Sequence, residues 1–227
     1  MRLTRELAAL CHREVAECEP DPRYDNFTDA DYHRAVEQIL DQRPDGPFWL
    51  FAYGSLIWKP EFPTVEQRRA IAHGWQRGFS LKIESYRGTP EQPGYMMCLD
   101  RGGFCEGAVL RIEEAQLREQ LFKLLYREIG CEEALEGVRW IDTETEAGTV
   151  RALASYAGPE RLDIYAAGRP PIEVVHALAR ACGHWGSGAE YLHNTVAHLE
   201  ELGIHDEKLW QLQDLVAQEI ELIYGRK

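Results

Sequence analysis

The sequence predicts an α+β fold. Short apolar runs of strand length crowd the region from Phe48 to Tyr156, while longer stretches with apolar residues at helical spacing precede, interrupt and follow them. The two kinds of segment do not alternate regularly, which excludes a doubly wound parallel sheet.

In chain order, Thr28 followed by Asp31 reads as a helix start of the capping-box type, and Tyr32, Ala35, Val36, Ile39 and Leu40 then recur at helical spacing up to Arg43-Pro44. Phe48 to Tyr53 is continuously apolar and stopped by Gly54-Ser55; its length and aromatic content predict a strand buried on both faces. Further strands are expected at 69–73, 79–84, 95–99, 107–112, 138–145 and 150–156, with Gly102-Gly103 and Ala147-Gly148 as turns between neighbours. Helical stripes follow: Leu117, Leu121, Leu124 and Leu125; Ile172 to Ala181; Tyr191, Leu192, Thr195, Val196 and Leu199; and, from near Asp206, Leu209, Leu212, Leu215, Val216, Ile220 and Ile223. Residues 1–46 read as an N-terminal helical extension and 47–227 as the main domain.

Composition narrows the function. Of 227 residues 44% are apolar, and no apolar run approaches the ~20 residues of a membrane span. The apolar stretch from Leu7 to Leu10 is too short for a secretion signal, so a cytoplasmic protein without a membrane partner is expected. A formal net charge of −13 opposes nucleic-acid binding, which requires many phosphate-neutralising cations. Between Lys59 and Arg101 the balance reverses: Lys59, Arg68, Arg69, Arg77, Lys82, Arg87 and Arg101 outnumber Glu61, Glu66, Glu84, Glu91 and Asp100. That suits a small anionic ligand, although ordinary surface scatter explains it equally well. Cys11, Cys18, Cys98, Cys105, Cys131 and Cys182 form no C-x-x-C pair, so reduced, mostly buried thiols are expected and no metal is called for.

Three segments could carry chemistry. Tyr53-Gly54-Ser55-Leu56 ends the buried strand, where a glycine lets successive amides face one side and hold a carboxylate; a plain turn is the simpler reading of Gly-Ser alone. Glu128 stands eleven, seven and four residues after Leu117, Leu121 and Leu124, which places it on the inward face of that helix. Gly130 is positioned to end the helix, so burial and the helix terminus would together raise the Glu128 pKa, as general acid/base work requires. A structural pair with an arginine is the competing explanation. The loop from Tyr86 to Gly94, rich in turn formers, is the third.

Other signatures fail on spacing. Gly183, Gly186 and Gly188 lack the order and the preceding strand of a dinucleotide site, and no G-x-S-x-G elbow is present. His193 and His198 are five apart, on different sides of a helix, and read as helix-surface residues. Glu190, three residues after Ser187, reads as the second half of a capping box.

Tyr53-Gly54-Ser55-Leu56-Ile57-Trp58-Lys59, the Arg87-Gly88-Thr89-Pro90 to Pro93-Gly94 loop, Arg127-Glu128 and Glu190-Tyr191-Leu192 stand in an order and spacing that resembles the ChaC-like glutathione-specific γ-glutamylcyclotransferases, from about Phe48 to Ile220. The resemblance implies a mixed β-barrel-like sheet with flanking helices and a cofactor-free lyase that converts glutathione to 5-oxoproline and cysteinylglycine. It implies Glu128 as the catalytic residue, the Tyr53, Gly54, Ser55 and Leu56 turn as the seat of the glutamyl end, and Arg87, Tyr165 and Tyr191 as further substrate-binding residues. The segment 129–137 departs from the glycine-tyrosine continuation of some relatives. Such a reaction needs no enzyme nucleophile, because the γ-glutamyl group carries its own α-amine and only has to be folded, deprotonated and polarised. Two alternatives stay open at this point: cyclisation of other γ-glutamyl amines or dipeptides, and a non-catalytic binding protein of the same fold.

Overall fold

A computed structural model describes residues 1–17, 23–60, 62–156 and 163–225. Cys18 and Glu61, counted above, lie outside the described residues. The chain divides into two compact units, one comprising Pro20–Gln76 and Leu99–Leu162, the other Met1–Glu19, Arg77–Cys98 and Asp163–Lys227.

The apolar run after Phe48 forms β1 (Trp49–Ala52), all four residues buried. It belongs to a closed five-stranded barrel, in the order β1, β3 (Gly94–Ile112), β2 (Thr64–Ile83), β4 (Val138–Thr145), β5 (Gly148–Ser155). β1 runs antiparallel to β3, Trp49 opposite Arg111 and Ala52 opposite Ala108, and the barrel closes on a parallel contact of Leu50 with Leu153. β4 and β5 form a full hairpin from Val138 opposite Ser155 to Thr145 opposite Gly148, so Ala147-Gly148 turns as expected, with Gly148 at φ +109°. Along β4, buried Ile141, Thr143 and Thr145 alternate with exposed Asp142 and Glu144, the period-2 pattern of an inward and an outward face.

The expectation of separate strands at 69–73 and 79–84, and at 95–99 and 107–112, is corrected: each pair is one long strand. Gly74 (φ +78°), Gly102 (φ +116°) and Gly103 (φ +59°) sit inside these strands with left-handed backbone. Only glycine enters that region without penalty, and it bends a strand as a bulge does without ending it. Gly102-Gly103 is therefore not a turn between strands.

In the barrel unit, α2 (Asp29–Asp41) has the expected capping box between Thr28 and Asp31. It packs on α3 (Leu117–Glu128) through Tyr32, whose ring lies 5.7 Å from Phe122 and 5.2 Å from Tyr126, and Arg43 pairs with Glu114 at 2.8 Å. A short helix, α4 (Glu132–Leu135), follows α3.

The other unit holds α1 (Arg5–Ala9), α5 (Pro171–Arg180), a two-stranded ribbon of β6 (Cys182–Gly183) and β7 (Gly186–Ser187), α6 (Gly188–Glu201) and α7 (Glu207–Tyr224). The four helices bury Leu178, Leu192, Leu199 and Ile220 completely. The first residues are tied to α6 and α7: the Leu3 amide donates to Gln213 Oε1 at 2.8 Å, and His193 Nδ1 meets the Leu3 carbonyl at 2.8 Å. His193 is thus a half-buried anchor, not a surface residue. Residues 1–17 and 23–46 contribute α1 and α2 to different units.

Candidate active site

Tyr53 leaves β1 and passes the chain into a 3-10 turn, Ser55–Ile57. Its hydroxyl donates to the Ser155 carbonyl at 3.1 Å and its ring rests on the barrel core. Within the turn, Ile57 N–H donates to the Gly54 carbonyl (3.0 Å), and Trp58 and Lys59 N–H to the Ser55 carbonyl (3.1 and 2.8 Å). This ladder uses the amides from Ile57 onward, so those of Ser55 and Leu56 are the ones a helical start leaves over for an acceptor.

α3 delivers Arg127 and Glu128 to the same place. The helix ends because Ile129, 3% exposed, takes extended backbone (φ −131°, ψ 114°) to bury its side chain, while its amide still donates to the Leu125 carbonyl. Gly130 does not act as the stop: it is absent from the positive-φ glycines and follows a helix that has already ended. Glu128 is half-buried, its side chain 26% exposed, and pairs with Arg127, Nε to Oε1, at 3.0 Å. The full burial expected on the apolar face is thus not reached, because the last turn lies at the rim of the packed stripe.

Arg127 connects the parts. It is only 13% exposed, donates through Nη2 to Ser55 Oγ at 3.0 Å, and through Nη1 to the Lys59 carbonyl. One guanidinium therefore holds the turn after β1, through both Ser55 and Lys59, and the catalytic candidate Glu128. Sequence reasoning did not single Arg127 out beyond its place in the Arg-Glu pair. The available signal was a basic residue in the last turn of a helix, where it also suits the helix dipole.

Arg87, Tyr165 and Tyr191 belong to the other unit. Arg87 is buried; Nη1 donates to the Ser187 carbonyl at 3.0 Å and to Glu190 Oε2 at 3.4 Å, and its guanidinium lies 5.0 Å from the Tyr191 ring. Burial pushes the Arg87 pKa down against the opposing pull of Tyr191 and Glu190. The Glu190 carboxylate is thus engaged by Arg87. The capping box expected there is half present: Ser187 Oγ accepts from the Glu190 amide at 3.1 Å, and no reciprocal bond is made. The 85–94 loop closes on itself through Thr89 and Gln92, and a Cβ on Gly88 would meet the Gly94 nitrogen at 2.4 Å, so glycine is required for that closure. Tyr191 is 3% exposed and packs edge-on against Phe79; Tyr165 pairs with Leu81 in an isolated bridge.

Comparison with known proteins returns a coherent group. The family model described as ChaC-like protein matches residues 48–219. A glutathione-specific gamma-glutamylcyclotransferase of Escherichia coli (strain K12) is 34% identical over 77% of this chain and 75% of its own length. A Mus musculus protein named glutathione-specific gamma-glutamylcyclotransferase 1 is 31% identical over 74% of this chain and 77% of its own. Among solved structures, a yeast gamma-glutamyl cyclotransferase specific to glutathione superposes with a TM-score of 0.65 at 21% identity, covering 77% of this chain and 97% of that one, which shows a shared fold.

Proposed function

The chain belongs to the ChaC-like family, and on that premise we propose that it is a glutathione-specific γ-glutamylcyclotransferase, a lyase that releases 5-oxoproline and cysteinylglycine with Glu128 as general acid/base. The observation that carries the assignment of roles is the Arg127 bridge, which joins Ser55 of the β1 turn to Glu128.

The amides at the start of the Ser55–Ile57 turn and the Ser55 hydroxyl receive the glutamyl α-carboxylate. Glu128 takes a proton from the substrate α-ammonium, and the freed amine attacks the γ-carbonyl carbon to close a five-membered ring. The turn amides are also suited to the oxyanion that develops. The bond from that carbon to the cysteinyl nitrogen then breaks as the proton held by Glu128 passes to that nitrogen; Glu128 next takes the second proton that the ring nitrogen must lose to become the lactam N–H and passes it to the departing amine, which leaves as an ammonium. No net proton is consumed, so one carboxylate serves both halves. We place the reaction in the cytoplasm: the described cysteines are free and buried, as in a reducing compartment. No helix among the described residues is long and apolar enough to cross a membrane.

The test is 5-oxoproline release by purified protein from glutathione, γ-glutamylcysteine and γ-glutamylalanine. Glutathione should be the preferred substrate; equal rates on all three would replace glutathione specificity with general γ-glutamyl cyclisation, and no product from any would leave a binding protein. Glu128→Gln keeps shape and polarity but removes the base, and should lower kcat by ~10²–10⁴-fold in protein still folded at the assay temperature. Near-normal turnover in that variant would remove Glu128 from the mechanism.

A further inference from the structure

Inward-facing side chains of a barrel strand recur every second residue. Phe51, Leu99, Ile141 and Ala154 belong to the barrel's buried cluster. Two residues along the chain from these stand Tyr53, Arg101, Arg139 and Tyr156. They converge at one end of the barrel: Tyr53 reaches the Ser155 carbonyl, Tyr156 bridges Leu99, and Arg139 faces Ala154 across the β4–β5 ladder. This end of the barrel is the one from which the Tyr53–Leu56 turn emerges.

Its chemistry is unusual for an acidic chain. The Arg101 guanidinium lies 4.0 Å from the Trp75 ring and 5.5 Å from Tyr156, and Arg139 lies 4.7 Å from the same tyrosine, whose ring meets Trp75 edge-on at 5.2 Å. Two like charges share one aromatic ring, an arrangement that repulsion opposes unless an anion joins them. Acidic side chains outnumber basic ones 38 to 25, yet among the described residues no carboxylate pairs with either guanidinium. Arg139 donates through Nη2 to the Glu136 carbonyl at 3.3 Å, but its Nε is buried and has no hydrogen-bond partner. Buried donors are rarely left so, and one at a barrel mouth marks where an acceptor binds.

We propose that Arg101 and Arg139, stacked on Trp75 and Tyr156, form a second carboxylate subsite that takes the C-terminal carboxylate of the peptide leaving group. The inference rests on the γ-glutamylcyclotransferase activity proposed above and explains how that site selects a tripeptide. A three-residue substrate spans at most ~10 Å, and with its glutamyl end on the turn that begins at Tyr53 the proposed subsite takes up its far carboxylate at the mouth from which that turn emerges. A γ-glutamyl amino acid is one residue shorter and lacks that carboxylate. Planar guanidinium forks fit a carboxylate and are preorganised here by stacking.

The experiment compares glutathione with its analogue amidated at the glycine carboxylate, on the wild type, Arg101→Gln, Arg139→Gln and the double variant, by 5-oxoproline release. The wild type should prefer glutathione over the amide by about 10- to 100-fold in kcat/KM, the scale of one or two charge-assisted hydrogen bonds. In the double variant that ratio should approach one. A wild type that turns over both alike, or a double variant that still discriminates, overturns the subsite while leaving the cyclotransferase assignment standing. Absence of 5-oxoproline from glutathione would instead overturn the activity. Calorimetric titration of the wild type and of Arg101→Gln with cysteinylglycine and with its amide then reads the subsite without catalysis: preference for the free acid, lost in the variant, supports it, and equal binding overturns it. Arg101 is exposed, so its replacement does not threaten the fold, and the comparison of substrates on the wild type needs no variant.

Discussion

Replacing Arg127 by methionine tests whether the site is organised by one guanidinium. The substitution keeps the aliphatic stem and removes the contacts to Ser55 Oγ, the Lys59 carbonyl and the Glu128 carboxylate. Hydrogen bonds to a charged group contribute about 1.5–3 kcal/mol each, but all three acceptors lie close enough to solvent to regain water. A net loss of about 2–3 kcal/mol is therefore expected, which for a chain of this size lowers Tm by roughly 4–12 °C. The effect on rate should be larger than stability alone implies, because the turn and the helix end lose their common anchor. A misplacement of ~1 Å costs on the order of 10²-fold, so kcat for 5-oxoproline release should fall at least that far in protein still folded at the assay temperature. Arg127→Lys separates charge from geometry: the cation is kept and the fork is lost, so Tm should recover more than kcat. Turnover by Arg127→Met within about three-fold of the wild type, a barrier change below ~1 kcal/mol, would refute the organising role.

Two further outcomes follow from the helical unit. Burial pushes the Cys11 thiol up to about 11 from its ordinary 9.0, and its Sγ donates to the Ala179 carbonyl at 3.1 Å. The unfolded chain ionises first as pH rises, so this contribution to stability is complete below about pH 9 and lost through pH 11. Wild-type Tm should accordingly decline more steeply across that window than that of Cys11→Ala, and parallel curves would rule the linkage out. Gly186 has φ +97°, and a Cβ there would meet Glu190 Oε2 at 2.3 Å and Arg87 Nη1 at 3.3 Å. Gly186→Ala should destabilise by about 1–3 kcal/mol, visible as a lower Tm. An unshifted Tm would refute the strain, since the positive φ alone opposes a side chain there even if the Arg87–Glu190 contact yields.

Wherever a segment announces itself by local pattern, sequence and structure agree. The Thr28–Asp31 cap, the apolar run of β1 and the four later helical stripes each depend on residues within a few positions of one another, and each forms. Errors arose where the same local sign serves two purposes. A glycine pair ends a strand or bends it, and only pairing on both sides distinguishes these, as Gly102-Gly103 does inside β3. Glu190 satisfies the spacing of a cap, but a buried arginine 103 residues away in sequence claims its carboxylate instead. A charge-assisted bond to a desolvated guanidinium outweighs a neutral backbone amide.

The candidate site shows the same division. Tyr53 to Leu56 and Glu128 drew notice as local patterns, a buried strand ending in Gly-Ser and a carboxylate in register with a leucine stripe, and the family resemblance supplied their expected roles. Their common anchor was not legible, since Arg127 reaches Ser55 across 72 residues. The barrel mouth was less legible still. β1 and β5 are neighbours in the barrel and run parallel, so both strands finish at the same end, and Tyr53 meets Ser155 across 102 residues. β4, antiparallel to β5, begins there and brings Arg139; β3, bent by its glycines, brings Arg101. Read along the chain, these arginines are scattered surface charges in an acidic protein. Only closure of the sheet gathers residues of four strands at one barrel mouth, so the feature proposed to measure substrate length is a property of topology that no single segment carries.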